Sequence, residues 1–222
     1  MVLFGFGLGM FLFFRPHNIA ASIQAKQLIE TVYEGISGFS LSNEDSVKMR
    51  TVGPASVYGE ILYDSLEVLL DTLRVGSTDV FYDLGSGVGK AVMQVALNTD
   101  AKKVVGLELS ANRMDRAFEA KERLIALGYT KAAEKLELKE QDFLEASIDD
   151  ATIIFLCSTC FPDDMMEKLT EKITGLDKPV KIITLRRIND PQVQLIHEYK
   201  LPMSWSEGSP VYIYKTVKGL NT

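Results

Sequence analysis

The stretch Asp83-Leu84-Gly85-Ser86-Gly87-Val88-Gly89 constrains this chain more than any other part of it. It follows a short apolar run, Val80 to Asp83, and leads into residues with helical spacing, Lys90 to Leu97. An acid and three glycines between a strand and a helix put a tight turn at the carboxyl end of a sheet, where backbone N–H groups and a helix N-terminus are exposed. Dinucleotide folds use G-x-G-x-x-G, which lets a pyrophosphate lie on the helix dipole, whereas this turn reads G-x-G-x-G directly after the acid. The spacing favours a nucleoside cofactor that carries no phosphate.

From Gly76-Ser77-Thr78-Asp79 onward, short apolar runs alternate with longer amphipathic ones. Strands are expected at Val80–Asp83, Lys103–Glu108, Leu136–Lys139, Thr152–Cys157, Val180–Leu185, Val193–Tyr199 and Val211–Thr216. Helices are expected at Lys90–Leu97, Asn112–Leu127 and Met165–Ile173. Such alternation predicts an α/β fold, a doubly wound, mainly parallel, seven-stranded Rossmann-like sheet. Ahead of it, residues 18–34 gather Ile19, Ile23, Leu28, Ile29 and Val32 on one helical face, and Ile61 to Leu73 has helical spacing again. The stretch between, Gly35 to Gly59, is rich in Gly, Ser and Asn and reads as a loop. The expected organisation is therefore a leader and helix over 1–34, a linker and covering loop over 35–59, and one catalytic domain over 60–222.

Two further elements converge on the glycine turn. Glu108 ends the second strand, nineteen residues past Gly89, where a carboxylate can accept both hydroxyls of a ribose. Asp142-Phe143, just past the third strand, supplies an acceptor for an exocyclic amine and a ring face beside the same crevice. The bland alternative makes the glycines ordinary turns and the acids solvated surface.

Thirty acidic against twenty-four basic residues give a net charge of −6, which lacks the basic footprint of a protein that grips nucleic acid but suits a basic protein substrate. The only cysteines, Cys157 and Cys160, exclude a disulfide framework and, with two distant histidines, a four-ligand metal site; both read as plain thiols. Met1 to Phe14 is uncharged and almost wholly apolar. As a helix it reaches roughly 21 Å, short of the roughly 30 Å hydrocarbon core, so no complete span is expected. A targeting or anchoring segment with membrane contact, a segment packed on the domain, and a truncated gene model all stay open.

Several segments together resemble the non-SET histone-lysine methyltransferases named for disruption of telomeric silencing, within the class I S-adenosylmethionine-dependent methyltransferases. They are Val57-Tyr58-Gly59-Glu60, Val80 through Lys90, Glu108, Asp142-Phe143-Leu144, and Ser204-Trp205 with Pro210-Val211-Tyr212. The resemblance covers about Tyr58 to Thr216. It implies S-adenosylmethionine as cofactor and methyl transfer to a protein lysine, with a histone as the basic partner. Tyr58, Gly59 and Glu60 would cover the methionine moiety, Asp83, Gly85, Ser86, Gly87, Gly89 and Lys90 would wrap the cofactor, Glu108 would hold the ribose, and Asp142 and Phe143 the adenine. Tyr212 would line the lysine channel, with Phe161 near it. The family is nuclear or cytoplasmic; an organelle or a membrane tether follows if the leader is a targeting segment. A monomer is expected.

The departures from the family pattern are local. Cys157-Ser158 stands where the family carries an asparagine pair, so a polar contact is altered or supplied by Ser158, and Lys90 replaces a glutamine. No basic tail for nucleosomal DNA follows the last strand. By pattern alone Tyr212 reads as a half-buried strand tyrosine and Glu60 as a helix-entry acid. Three readings remain: a protein-lysine methyltransferase acting on a histone or another protein, a cofactor-binding module without turnover, and a nicotinamide-dependent oxidoreductase, against which the missing G-x-G-x-x-G counts.

Overall fold

Alternation of side chains across the central strands decides how this chain folds, because every second residue faces a different layer. The computed structural model describes residues 19–50 and 57–217, with β1 at Val80–Leu84, β2 at Lys103–Glu108, β3 at Leu136–Glu140, β4 at Ile153–Leu156, β5 at Lys181–Thr184, β6 at Val193–Met203 and β7 at Ser206–Thr216. Phe81, Val104, Ile153, Phe155 and Ile183 point into one buried cluster, while Tyr82, Val105, Ile154, Leu156 and Ile182 point into a second on the opposite face. Strands apolar on both faces belong inside a parallel sheet covered on both sides.

The seven strands lie in the order β3-β2-β1-β4-β5-β7-β6. Neighbours from β3 to β5 pair in parallel, and β7 inserts antiparallel between β5 and β6, with Thr184 opposite Tyr212. The expected doubly wound, mainly parallel sheet is thus present, closed by one antiparallel hairpin. Both hairpin strands are longer than the periodicity suggested, because β6 carries bulges at Leu195/His197 and Leu201/Met203 that break the two-residue alternation.

Helices α1 (Ile19–Val32), α2 (Asn43–Arg50), α3 (Tyr63–Leu73), α4 (Lys90–Asn98), α5 (Ala111–Ala126), α6 (Thr130–Glu134) and α7 (Asp163–Thr174) complete the described residues. The first cluster takes Ile29 and Val32 of α1, Leu66 and Leu69 of α3, Val92 and Val95 of α4, and Met114 and Leu124 of α5. The second takes Met166, Leu169 and Ile173 of α7. The loop expected over 35–59 is corrected by α2, whose buried Asp45 docks it rather than an apolar stripe. Asp45 accepts hydrogen bonds from the Asn112 N–H at 2.8 Å and from the Ser110 hydroxyl, and so helps close the N-terminus of α5. Burial works against its charge, but the bonds from Ser110 and Asn112 and the nearby Lys48 and Arg113 hold its pKa below the ordinary value. No described helix is long and apolar enough to cross a membrane, and the apolar stretch Met1–Phe14 lies outside the described residues.

Candidate active site

The sheet order reverses between β1 and β4, so the loops that leave their carboxyl ends diverge and leave a crevice there. A cavity of about 370 Å³ fills that crevice, which is within the range of small-molecule sites. Its walls come from Gly85 after β1, Glu108 and Leu109 at the end of β2, Asp142, Phe143 and Leu144 after β3, and Cys157, Thr159, Cys160 and Phe161 after β4. Val57, Tyr58, Gly59 and Trp205 cover it.

The glycine turn is built as its sequence requires. Gly85, Gly87 and Gly89 have φ of 96°, 56° and 81°. At Gly87 the left-handed backbone is combined with close approach, because the Tyr58 ring lies directly against it. The Gly85 and Ser86 N–H groups donate to the Leu107 carbonyl at 2.8 and 2.9 Å, which holds the turn against β2.

Glu108 faces this turn. Its Oε2 accepts the Gly87 N–H at 2.8 Å, its Oε1 accepts the Ser110 N–H at 2.9 Å, and the side chain lines the cavity. Asp83 lies deeper and is only 3% exposed. Its Oδ1 finds no hydrogen-bond partner, and burial, reinforced by the charge of Glu108, pushes its pKa up to about 8. An unsatisfied carboxyl oxygen in the interior is costly, and the end of β1 keeps one.

Asp142 Oδ1 accepts the Leu144 N–H at 2.8 Å, which fixes the turn after β3. Phe143 stacks on Phe161, with ring centroids 5.6 Å apart and 21° between planes. Above them, Tyr58 donates its hydroxyl to Glu60 Oε1 at 2.7 Å, and Glu60 Oε2 pairs with Lys90 Nζ at 2.7 Å. The covering segment is also bound to the β6–β7 turn. Ser204 N–H donates to the Glu60 carbonyl, Glu60 N–H donates to Ser204 Oγ, both at 2.9 Å, and Gly59 lies so close to the Trp205 ring that a side chain has no room.

Of the residues singled out from sequence, Tyr58, Gly59, Gly85, Glu108, Asp142, Phe143 and Phe161 line the cavity. Glu60, Asp83, Ser86, Gly87, Gly89 and Lys90 form the turn and its supports just behind that lining. Two are elsewhere. Ser158 is fully buried, its hydroxyl shared with Thr184 Oγ1 at 2.8 Å and accepting the Leu185 N–H at 3.1 Å; that hydroxyl ties β4 to β5, and Cys157 and Thr159 line the wall instead. Tyr212 packs in the second cluster beneath the Arg187 guanidinium, 4.9 Å from its ring centroid, and is not part of the cavity lining. Sequence reasoning missed Arg113, Thr159, Met49 and Met165, which reach the lining from helices or turns with no motif of their own. Cys157 and Cys160 are free thiols, as expected.

The strand order and the crevice at its reversal define a Rossmann-like methyltransferase fold. The solved RNA methyltransferase from Salinibacter ruber in complex with S-adenosyl-L-homocysteine superposes with a TM-score of 0.51 at 23% identity, over 70% of this chain and 92% of that one. More narrowly, the family model described as "Histone methylation protein DOT1" matches residues 40–206, and the chain belongs to that family. Among curated relatives, the H3 lysine-79 specific histone-lysine N-methyltransferase of Caenorhabditis elegans is 33% identical over 144 residues, which is 60% of this chain and 15% of the relative. The Aspergillus fumigatus enzyme of the same description is 25% identical over 214 residues, 85% of this chain and 42% of the relative. The chain therefore spans less than half the length of either relative.

Proposed function

We propose that this chain transfers a methyl group from S-adenosylmethionine to a lysine side chain of a basic protein, with a histone as the leading target class. The observation that carries the reading is the pairing of Glu108 with the Gly87 amide beside a covered cavity at the switch point. A carboxylate there accepts ribose hydroxyls. The buried, unpartnered Oδ1 of Asp83 suits the cofactor's α-ammonium, and Phe143 with Asp142 suits a purine and its exocyclic amine. When bound, S-adenosylmethionine supplies a methyl group on a sulfonium. Lys90 and Glu60 hold Tyr58 across the turn.

Methyl transfer to an amine needs that amine neutral and aligned more than it needs a strong base. A free lysine titrates near 10.4, and apolar and aromatic walls such as Phe161, Met165 and Trp205 disfavour its charged form. Tyr212, which the family resemblance assigns to the lysine channel, acts in this reading as part of the buried cluster that also holds Phe161.

Calorimetric titration with S-adenosylmethionine followed by a labelled-methyl assay on histones and cell lysate tests the proposal. Binding and labelling are expected, and both should vanish in Gly87→Arg. No binding at millimolar cofactor overturns it. A second reading, a cofactor-binding module without turnover, draws on the inward-turned Ser158 where the family carries an asparagine. Binding without any labelled protein favours that reading.

A further inference from the structure

Three arginines of α5 hold the chain segment that precedes the covering loop. Arg123 Nη1 donates to the Val32 and Glu34 carbonyls at 3.0 and 2.6 Å, Arg116 Nη1 donates to those of Ser40 at 2.8 Å and Ser37, and Arg113 Nε donates to that of Gly38 at 3.1 Å. Arg116 and Arg123 do this at the surface. Arg113 differs: it is 5% exposed and is the only basic residue among the described residues that line the cavity.

Among the described residues, its guanidinium meets three separate parts of the site. One edge is on Gly38, the face lies over the Tyr58 ring with Cζ 4.5 Å from the centroid, and Nη1 stands 3.9 Å from Glu108 Oε1. Tyr58 is wedged between these groups, its ring against both Gly38 and Gly87 and edge-on to Phe39 at 5.0 Å. A planar guanidinium can satisfy an acceptor at its edge and a ring on its face at once, which an ammonium cannot.

We propose that Arg113 is a positioning residue that couples the Glu108 carboxylate to the Tyr58 ring, so that capture of the cofactor's ribose and closure of the covering segment are one event. The inference rests on the cofactor reading above. Ser110 fixes the base of this side chain, because its hydroxyl accepts the Arg113 N–H at 3.1 Å at the start of α5. With the backbone held, the guanidinium has little freedom to leave Glu108 without also releasing Tyr58. Any rearrangement of Glu108 toward ribose hydroxyls is thereby felt at the ring over Gly87.

The test is calorimetric titration of the full chain with S-adenosylhomocysteine, followed in parallel by fluorescence of the single tryptophan, Trp205, which lines the same cavity. Arg113→Met is expected to weaken binding at least tenfold, whereas Arg116→Met, which removes a comparable backbone tether away from the cavity, stays within twofold of wild type. Combined with Tyr58→Leu, Arg113→Met should lose much less than the product of the two single losses. Arg113→Lys keeps the charge without the fork and should still lose at least fivefold, which carries the test if the methionine variant does not fold. Wild-type binding that either Arg113 variant retains within twofold overturns the inference alone. So do losses that multiply with Tyr58→Leu, or an Arg116→Met loss as large as that of Arg113→Met. A wild-type chain that binds no S-adenosylhomocysteine overturns the cofactor reading, and this inference with it.

Discussion

The ring of Tyr58 occupies the space into which a side chain on Gly87 would project: an ideal Cβ there would come within 2.4 Å of the Tyr58 Cε2. The covering segment and the glycine turn therefore touch at the Tyr58–Gly87 pair, and that contact requires glycine twice, for its φ of 56° and for its lack of a side chain.

Gly87→Ala is expected to cost about 1–2 kcal/mol of backbone strain and to push Tyr58 off the turn. A lower melting temperature and lost binding of S-adenosylmethionine should both appear in thermal melts and calorimetry. Unchanged affinity would show that Tyr58 does not cover the bound cofactor.

Glu108 holds two backbone N–H groups in a site only 4% exposed. Glu108→Gln keeps the shape and removes the charge, so cofactor affinity should fall about tenfold to a hundredfold, from the roughly 1.5–3 kcal/mol of a charged hydrogen bond. Glu108→Ala should also lower stability by about 1–3 kcal/mol, since buried donors lose their acceptor. Chemical denaturation of the cofactor-free protein separates the two effects.

Asp83 gives the site a pH dependence with a definite sign. Burial and the neighbouring Glu108 raise its folded-state pKa to about 8, above its ordinary 3.8. The stability it contributes is therefore present in full below pH 4 and is lost as pH rises toward 8. Asp83→Asn should stabilise the cofactor-free protein at pH 8 but not at pH 4, while weakening cofactor binding. Binding of the cationic cofactor to wild type at pH 7 should release a proton, seen as a dependence of the calorimetric enthalpy on buffer ionisation. An enthalpy independent of buffer would contradict this.

Cys157 is expected to be an inert thiol although it lines the cavity. Burial, then the charges of Asp83, Cys160 and Glu60, pushes its pKa up to about 12. At pH 7.5 its alkylation by iodoacetamide should be at least ~100-fold slower than in the unfolded chain, because the thiolate is the reactive form. Peptide mass spectrometry with and without S-adenosylhomocysteine measures this; rapid labelling of Cys157 in the folded protein would contradict it.

The parts legible in the sequence were those in which local pattern and tertiary role coincide. The strand before Asp83, the glycine turn and Glu108 at the end of β2 stand where periodicity and turn chemistry put them, because a buried parallel strand and a left-handed turn each leave a compositional trace. Helix α2 left none. Among its residues only Asp45 and Met49 are buried, and the acid docks by capping another helix, a contact sixty-five residues away in sequence that periodicity does not record. Ser158 and Tyr212 were illegible for another reason. A motif fixes which strand end a residue occupies but not which way its side chain turns, and here the Thr184 hydroxyl and the Arg187 guanidinium take them. Arg113 was missed because a helix arginine looks like solvated surface until the loop over it is known.

The roof of the crevice depends on the last hairpin of the sheet, whose turn carries Ser204 and Trp205 onto the Tyr58–Glu60 segment. A chain emerging from the ribosome makes every parallel strand before it makes that hairpin. Until the hairpin docks, the nucleoside seat has a floor and side walls but stays open to water above. The crevice thus gains its roof only once β6 and β7 have been made and paired, after all of the parallel strands.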